Sequence, residues 1–399
     1  MLLPISRSGY RQENRKMRFE EAYQGWTAGR LTQAEAALLL GHCERSFRRY
    51  IERFQADGLE GLLDKRLSQI SKRRANQAEI DGVVHSYKSG FGGWNVRHFH
   101  GKYRTELGGT RSYSWVKSVL QNAGLTKAAK RRGKHRMKRE RAPLPGMMLH
   151  QDASTHRWVN DARWDLVVTM DDATGEHTSM FFCEQEGTNS SFHGLGQTIA
   201  RYGLFASLYT DRGSHYFLTP EAGGKVDKQQ LTEVGRALRQ LGIEHIAAYS
   251  PAARGRSERA FQTHQGRLPN ELARAVITDM GGANQYLEKH YRPSHNREFC
   301  VASTVLGTAY VPFIGASLPD ILCEQHERTV GNDNCVSFNR MSLQLPADAM
   351  RNHYVRAKVR VHRYVNDTLA VFHGPRKLAA YDATGRLVIT GQEVLRAAA

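Results

Sequence analysis

Apolar residues recur in three different rhythms along this chain. Between Leu31 and Arg66 they keep helical spacing, with Ala36, Leu38 and Leu39 on one segment and Phe47, Tyr50, Ile51 and Phe54 on the next. Gly41 breaks the run, and Thr32 with Glu35 predicts a capping box ahead of it. The second segment, from about Glu44, turns Arg45, Arg48 and Arg49 outward. In a helix-turn-helix such a helix enters the major groove with its arginines against bases and phosphates. An ordinary amphipathic pair has the same stripe; the clustered arginines favour the DNA reading. A second helical module is expected over residues 76–126, where "NVRHFHGKYRTE" and "SYSWVKSVLQNAGL" flank "LGGTR". Ser112 would cap its second helix, Trp115, Val116, Val119 and Leu120 would face inward, and Lys117 outward. A plain core stripe fits these residues equally well.

After Gly146 the rhythm changes to short apolar runs. Strands are predicted from Met147 to an end at Asp152, from about Trp164 to Met170, and from about His177 to Cys183, the last two joined by the turn "DDATG". A helix "TNSSFHGLGQTIARYG" follows, then a strand Phe205–Tyr209 running into Asp211. Next come a helix at about Gln229–Gln240, a strand "IEHIAAY", and a helix at about Ser257–Ala273. Three antiparallel strands followed by crossover-connected ones predict a ribonuclease H-like mixed sheet over residues 146–300. From residue 330 to 390 the alternation has period two, interrupted by "NDT" and "ATG", and predicts a small β-barrel. Its "RAKVRVHR" places Arg356, Lys358, Arg360 and Arg363 on a basic strand face, which suits either DNA or solvent. The fold class expected is thus multidomain: N-terminal all-α helix-turn-helix modules (1–70 and 76–126), a central α/β ribonuclease H-like core, and the C-terminal barrel.

Charge sharpens this division. The chain has a net charge of +18 over 399 residues. Residues 1–142 hold 30 lysines and arginines against 13 acids, and the rest hold 27 against 26. Concentrated in one third, the excess points to a polyanion, and double-stranded DNA fits better than a lipid surface because no Lys-rich amphipathic helix accompanies it. The stretch Lys127–Arg141 has nine basic residues in fifteen, among them Lys130, Arg131, Arg132 and Lys134. Self-repulsion keeps such a segment extended unless phosphates lie against it, so residues 127–145 read as a basic linker that tracks DNA. No apolar run is long enough for a membrane span, the N-terminus does not read as a secretory signal, and five scattered cysteines form no C-x-x-C pair. These features suit a reducing cytoplasm, in a bacterium beside the nucleoid.

The candidate chemistry lies in the acids. A carboxylate at the mouth of a buried strand costs desolvation. The expected topology sets Asp152 and Asp211 side by side, although 59 positions separate them, and Glu258 lies 47 further on, on a helix across the sheet. Such a cluster is costly unless divalent cations neutralise it; two Mg²⁺ ions would make a clamp for in-line phosphoryl transfer. Asp171 and Asp172 have a turn composition and are assigned to the hairpin. "LHQDAS", "LYTDRGSHY" and "SPAARGRSERAFQTHQGRL" resemble the three signatures of DDE transposases and retroviral-type integrases, the third being similar to a form found in bacterial insertion-sequence transposases of the ISNCY-like group. The gap between second and third signatures is wider than in many integrases, with "TPEAGGKVDKQQ" as the inserted loop. The resemblance implies an acidic triad of Asp152, Asp211 and Glu258 holding two Mg²⁺ ions, with Mn²⁺ as a substitute. It further implies inverted-repeat and target DNA as partners, phosphate contacts from Arg254, Arg256 and Arg259, and a homo-oligomeric synaptic complex. A catalytically dead repressor and a structure-specific nuclease are the alternatives, whereas no Arg…His-x-x-Arg…Tyr arrangement of a tyrosine recombinase emerges.

Overall fold

The computed structural model describes residues 7–64, 74–127 and 140–388, apart from residues 161, 222–223, 228, 250, 316 and 348–349. It divides into two compact units, Met1–His85 and Ser86–Ala399.

In the first unit, α1 (Arg7–Thr27), α2 (Gln33–Leu39) and α3 (Glu44–Asp57) surround a core of Phe19, Ala22, Ala36, Ala37, Phe47, Ile51 and Leu62. The expected capping box is present: Thr32 accepts from the Glu35 amide, and Glu35 accepts from the Thr32 amide. Aromatic rings of Phe19, Tyr23 and Phe54 meet at 5.0–5.7 Å. Of the apolar positions named on the first segment, Ala36 is buried beside Ala37, whereas Leu38 and Leu39 are 78% and 61% exposed. Small alanines let α2 approach α3 closely, which fixes the phase of this seven-residue helix and leaves both leucines on its outer side.

The second unit begins within α4 (Gln77–Gly90), followed by α5 (Val96–Thr105) and α6 (Tyr113–Asn122). Asn95 and Ser112 cap α5 and α6 as side-chain acceptors. Val116, Val119 and Leu120 are buried, whereas Trp115 is half-buried under the Arg111 guanidinium.

The central sheet comprises β1 (Met148–Val159), β2 (Ala162–Asp171), β3 (His177–Cys183), β4 (Ser207–Thr210) and β5 (Glu244–Ala247), in the order β3-β2-β1-β4-β5. The first three strands are antiparallel; β4 runs parallel to β1, and β5 to β4. This is the expected ribonuclease H-like order. Helices α7 (Thr188–Tyr202) and α8 (Glu233–Gln240) cover one face through Phe192, Leu195, Ile199, Val234 and Leu238 against Leu149 and Leu208. The opposite face receives α9 (Pro251–Gln265), α10 (Leu268–Arg274) and α11 (Met280–Tyr286), then a π-turn (Leu287–Tyr291) and α12 (Arg292–Phe299). Phe261, Leu268, Leu272 and Leu287 pack there on Trp158, Val168, Met170 and Phe182.

Several boundaries differ from expectation: α8 starts at Glu233 rather than about Gln229, and the single helix expected over about Ser257–Ala273 is two, α9 ending at Gln265 and α10 starting at Leu268. β1 does not end at Asp152 but continues to Val159, because β2 pairs with it along that whole length. Helix α9 starts at Pro251 rather than near Ser257, since proline at the first helical position forfeits no hydrogen bond.

The C-terminal part is not a closed barrel. Strands β6 (Glu324–Thr329), β9 (Lys358–Arg363), β10 (Leu369–His373) and β11 (Arg376–Tyr381) form an open antiparallel sheet, β11-β10-β9-β6, beside a hairpin of β7 (Cys335–Phe338) and β8 (Met341–Gln344). Val336, Phe338 and Leu343 of the hairpin lie over Val359, Val361 and Val371 of the sheet. The apolar face is thus buried by a lid of two strands, and hydrogen-bonded closure is not needed to bury it. Asn339 and Arg340 both adopt positive φ at the hairpin tip, as a two-residue primed turn requires.

Candidate active site

β1 and β4 pair at Met148–Ser207, Leu149–Leu208 and His150–Tyr209, a constant offset of 59 residues. Asp152 and Asp211 have the same offset and stand two positions beyond the last of these pairs, Asp211 directly after the end of β4. β4 ends at Thr210, whereas β1 continues beside β2. Asp152 therefore sits on a stretch of β1 that pairs with β2 on one edge and lies past the end of β4 on the other. It is 9% exposed, and Asp211 is half-buried, with its Oδ1 accepting from the Gly213 amide at 2.8 Å.

Alternation along β1 puts His150, Asp152, Ser154 and Trp158 on the face covered by α9. Two anchors fix α9 over it. Near its start, Arg256 pairs with the Asp172 carboxylate, which also accepts from His150 Nε2 at 2.7 Å. At its end, Gln265 Nε2 donates to Ser154 Oγ at 3.0 Å. His150 to Ser154 spans about 13 Å of strand, and Arg256 to Gln265 about 13.5 Å of helix, so the two run level. Glu258 lies between the anchors, exposed, on the flank that carries Gln265 two turns later. The ligand oxygens of Asp152, Asp211 and Glu258 are not gathered within 4.8 Å of one another; among the described residues only His177, His264 and His295 are. A two-ion site does not demand that closeness, because ions about 4 Å apart, each about 2 Å from its oxygens, can hold carboxylates on opposite sides.

Several contributors have no signal in the sequence. Asp172 is fully buried, and its Oδ2 accepts from the Ala142 amide at 2.7 Å. Burial alone would raise its pKa, but the bonds from His150, Ala142 and Arg256 hold it well below the usual carboxylate range. Asp171 does what a turn acid does, accepting from the Thr174 amide and hydroxyl, and it also accepts from the Gly146 amide. The Tyr216 hydroxyl donates to Gln151 Oε1 at 3.1 Å and lies 3.4 Å from Glu186 Oε1. Burial pushes this phenol far above its ordinary pKa, and the charges of Glu186, Asp152 and Asp211 push the same way. One hydroxyl thus feels three carboxylates, and Glu186 is an acid near the pair that the motifs did not indicate.

The remaining expected DNA contacts fall differently. Arg45, Arg48 and Arg49 are exposed on α3, with Arg48 bonded to Gln33 and Glu44. Arg259 is exposed. Arg256, expected at the DNA backbone, instead turns inward to Asp172 and to the Glu140 carbonyl, because a buried carboxylate needs a cation more than solvent does. On the C-terminal sheet, Arg360 bonds Gln325 and the Gly374 carbonyl, and Arg363 bonds Asp367. Lys130, Arg131, Arg132 and Lys134, and the Arg254 side chain, lie outside the described residues. Among the described residues no helix is long and apolar enough to cross a membrane.

Fold and site together define a protein with a helical N-terminal unit and a mixed α/β core in which Asp152 and Asp211 stand beside the end of β4. Comparison with known proteins gives the kinship. The winged helix-turn-helix family model matches residues 22–81. A Sinorhizobium fredii protein described as a transposase, y4bF, is 29% identical over 350 residues, 86% of this chain and 75% of its own. The transposase for insertion sequence IS1202 of Streptococcus pneumoniae is 34% identical over 161 residues, 40% of this chain and 34% of its own. Among solved structures, a simian T-cell lymphotropic virus intasome chain covers 71% of this chain and 94% of its own, at 15% identity and a TM-score of 0.33. The chain is a relative of insertion-sequence transposases.

Proposed function

We propose that this protein is a DNA transposase that binds the terminal inverted repeats of its own insertion sequence and carries out Mg²⁺-dependent 3′-end cleavage and strand transfer. The observation that carries the proposal is the shared offset of 59, by which Asp152 and Asp211 each stand two positions beyond the last β1–β4 pair, His150–Tyr209. Carboxylate oxygens without thiolate are a hard donor set that suits Mg²⁺, with Mn²⁺ as a substitute. Asp152, Asp211 and Glu258 would hold two such ions, which when bound supply positive charge against both the attacking and the leaving oxygen of an in-line displacement. The protein's own share is positional: the Asp172 and Ser154 anchors hold α9 level with the aspartates. Arg259 would contact the DNA backbone beside them, and Arg45, Arg48 and Arg49 on α3 would read the element end in the major groove. Cleavage at two ends before joining implies a homo-oligomer.

Asp211→Asn tests the reading. Metal-dependent nicking of element-end DNA should fall to background, while binding of the same DNA in a mobility-shift assay changes less than about twofold, since a neutral ligand weakens metal capture and leaves α3 untouched. Nicking at the wild-type rate, or joint loss of nicking and binding, would overturn it.

A further inference from the structure

Away from the acids, three histidines converge from separate parts of the chain: His177 at the start of β3, His264 on α9 and His295 on α12. All three are buried, at 1%, 0% and 6% exposure, and one donor nitrogen from each lies within 4.8 Å of the others. Their ring centroids are 5.0, 4.3 and 4.7 Å apart. We propose that His177, His264 and His295 form a binding site for one divalent transition-metal ion, zinc by the chemistry of its donors, which staples α9 and α12 to β3.

Hydrogen bonding around the cluster supports this. His177 Nδ1 donates to the Gly175 carbonyl at 3.1 Å, leaving the Nε2 lone pair aimed at His264 Nε2, 2.9 Å away. His264 Nδ1 lies 3.1 Å from the Tyr291 hydroxyl. Metal-bound histidines regularly have such an outer partner on the second ring nitrogen. His295 Nδ1, by contrast, is buried without a hydrogen-bond partner, a costly state that a cation beside the ring would relieve. Burial, and repulsion from neighbouring cations, hold all three imidazoles neutral; the pKa of His177 falls to about 4 and that of His295 to about 2. Neutral rings are what a metal requires. The nearby cations are themselves matched, Arg267 by Glu298 and Arg292 by Glu288, so a dication does not meet bare positive charge.

Three imidazoles suit zinc, which takes them at about 2.0–2.1 Å in a tetrahedron with nitrogens about 3.3 Å apart. The His177–His264 separation need open by only about 0.4 Å to reach that spacing. On binding, the His264 proton moves from Nε2 to Nδ1 and the Tyr291 hydroxyl changes from donor to acceptor, so no proton is lost. His295 and Tyr291 also line a cavity of about 750 Å³ that His177 and His264 do not reach, so an ion would enter the cluster past His295. The site is separate from the oxygen donors of Asp152 and Asp211.

The full chain, purified without a polyhistidine tag, should contain about one zinc per molecule by plasma mass spectrometry after dialysis. Chelator-treated protein should gain about 4 °C in Tm when zinc is restored at a hundredfold excess over Kd, and cobalt should give visible tetrahedral bands. His295→Gln should weaken metal retention by about tenfold or more while the circular dichroism stays native, and Asp152→Asn should retain the zinc. A chelated chain with native circular dichroism that shows neither a Tm shift nor cobalt bands would overturn the proposal. Equal zinc affinity in His295→Gln would do the same.

Discussion

Replacing Asp172 by alanine would remove a carboxylate that solvent does not reach and that three donors surround. His150 Nε2 and the Ala142 amide would each lose an acceptor at 2.7 Å, and Arg256 would lose its counter-ion. Breaking a buried pair from one side costs about 3–5 kcal/mol. The lower end applies here, because the Arg256 side chain is 20% exposed and keeps the Glu140 carbonyl at 2.9 Å. Urea unfolding of the full chain at pH 7 should therefore show a loss of about 3 kcal/mol in the transition of the second unit. The pH dependence gives an independent check. The folded pKa of Asp172 is depressed, so its contribution is complete above the unfolded value of about 4 and shrinks as pH falls toward the folded value. Between pH 5 and pH 3 the gap between wild type and Asp172→Ala should narrow by about 1 kcal/mol. A loss under 1 kcal/mol at pH 7, or a gap of constant size across that range, would refute the assignment of Asp172 as the anchor of α9.

Glu271→Gln should cost about 2 kcal/mol at pH 7, read by urea unfolding. Burial works against the charge of Glu271, but bonds from His98 and Tyr286 and the nearby Lys102 bring its pKa to about 2, so the difference from wild type should fade between pH 4 and pH 2. Cys43 should be the first thiol alkylated by iodoacetamide, located by peptide mass spectrometry. It is exposed and its pKa is lowered by hydrogen bonding to Ser46, whereas burial pushes Cys183 and Cys323 up to about 12. Labelling of Cys183 before Cys43 would contradict this ordering.

Much of the core was legible because its signals are local. The runs that became β2 and β3 end in turn residues, and the Thr32–Glu35 and Ser112 caps announce their helices within four positions. What escaped was decided between elements. Leu38 and Leu39 have the composition of a buried stripe, yet the phase of α2 follows from how closely Ala36 and Ala37 approach α3, which no residue in the stripe encodes. Asp172 was read from its neighbours as a turn residue, and its partners come from residues 142, 150 and 256. The tail's period-two pattern says which side chains are buried, and says nothing about whether β6 and β11 bond to each other.

The acids combine both kinds of information. Asp152 and Asp211 were legible as motif residues, but their relation depends on an inequality of length. β1 follows β2 for its whole run to Val159, while its pairing with β4 stops at His150–Tyr209. Had β4 continued, both aspartates would lie inside a paired ladder, desolvated and closed to a phosphodiester. Because it stops, the chain leaves the ladder at Asp211 and continues through Arg212 and Gly213, where the Gly213 amide bonds the Asp211 carboxylate. In the proposed function, the Asp-Arg-Gly that follows β4 is what would leave both aspartates outside the paired ladder. Extending β4 by a β-forming substitution such as Gly213→Val would press a new Cβ against Asp211 Oδ1 and His215, both about 3.1 Å from that position. Metal-dependent nicking should fall while the urea midpoint moves little, and unchanged nicking in a folded Gly213→Val chain would show that this turn does not shape the site.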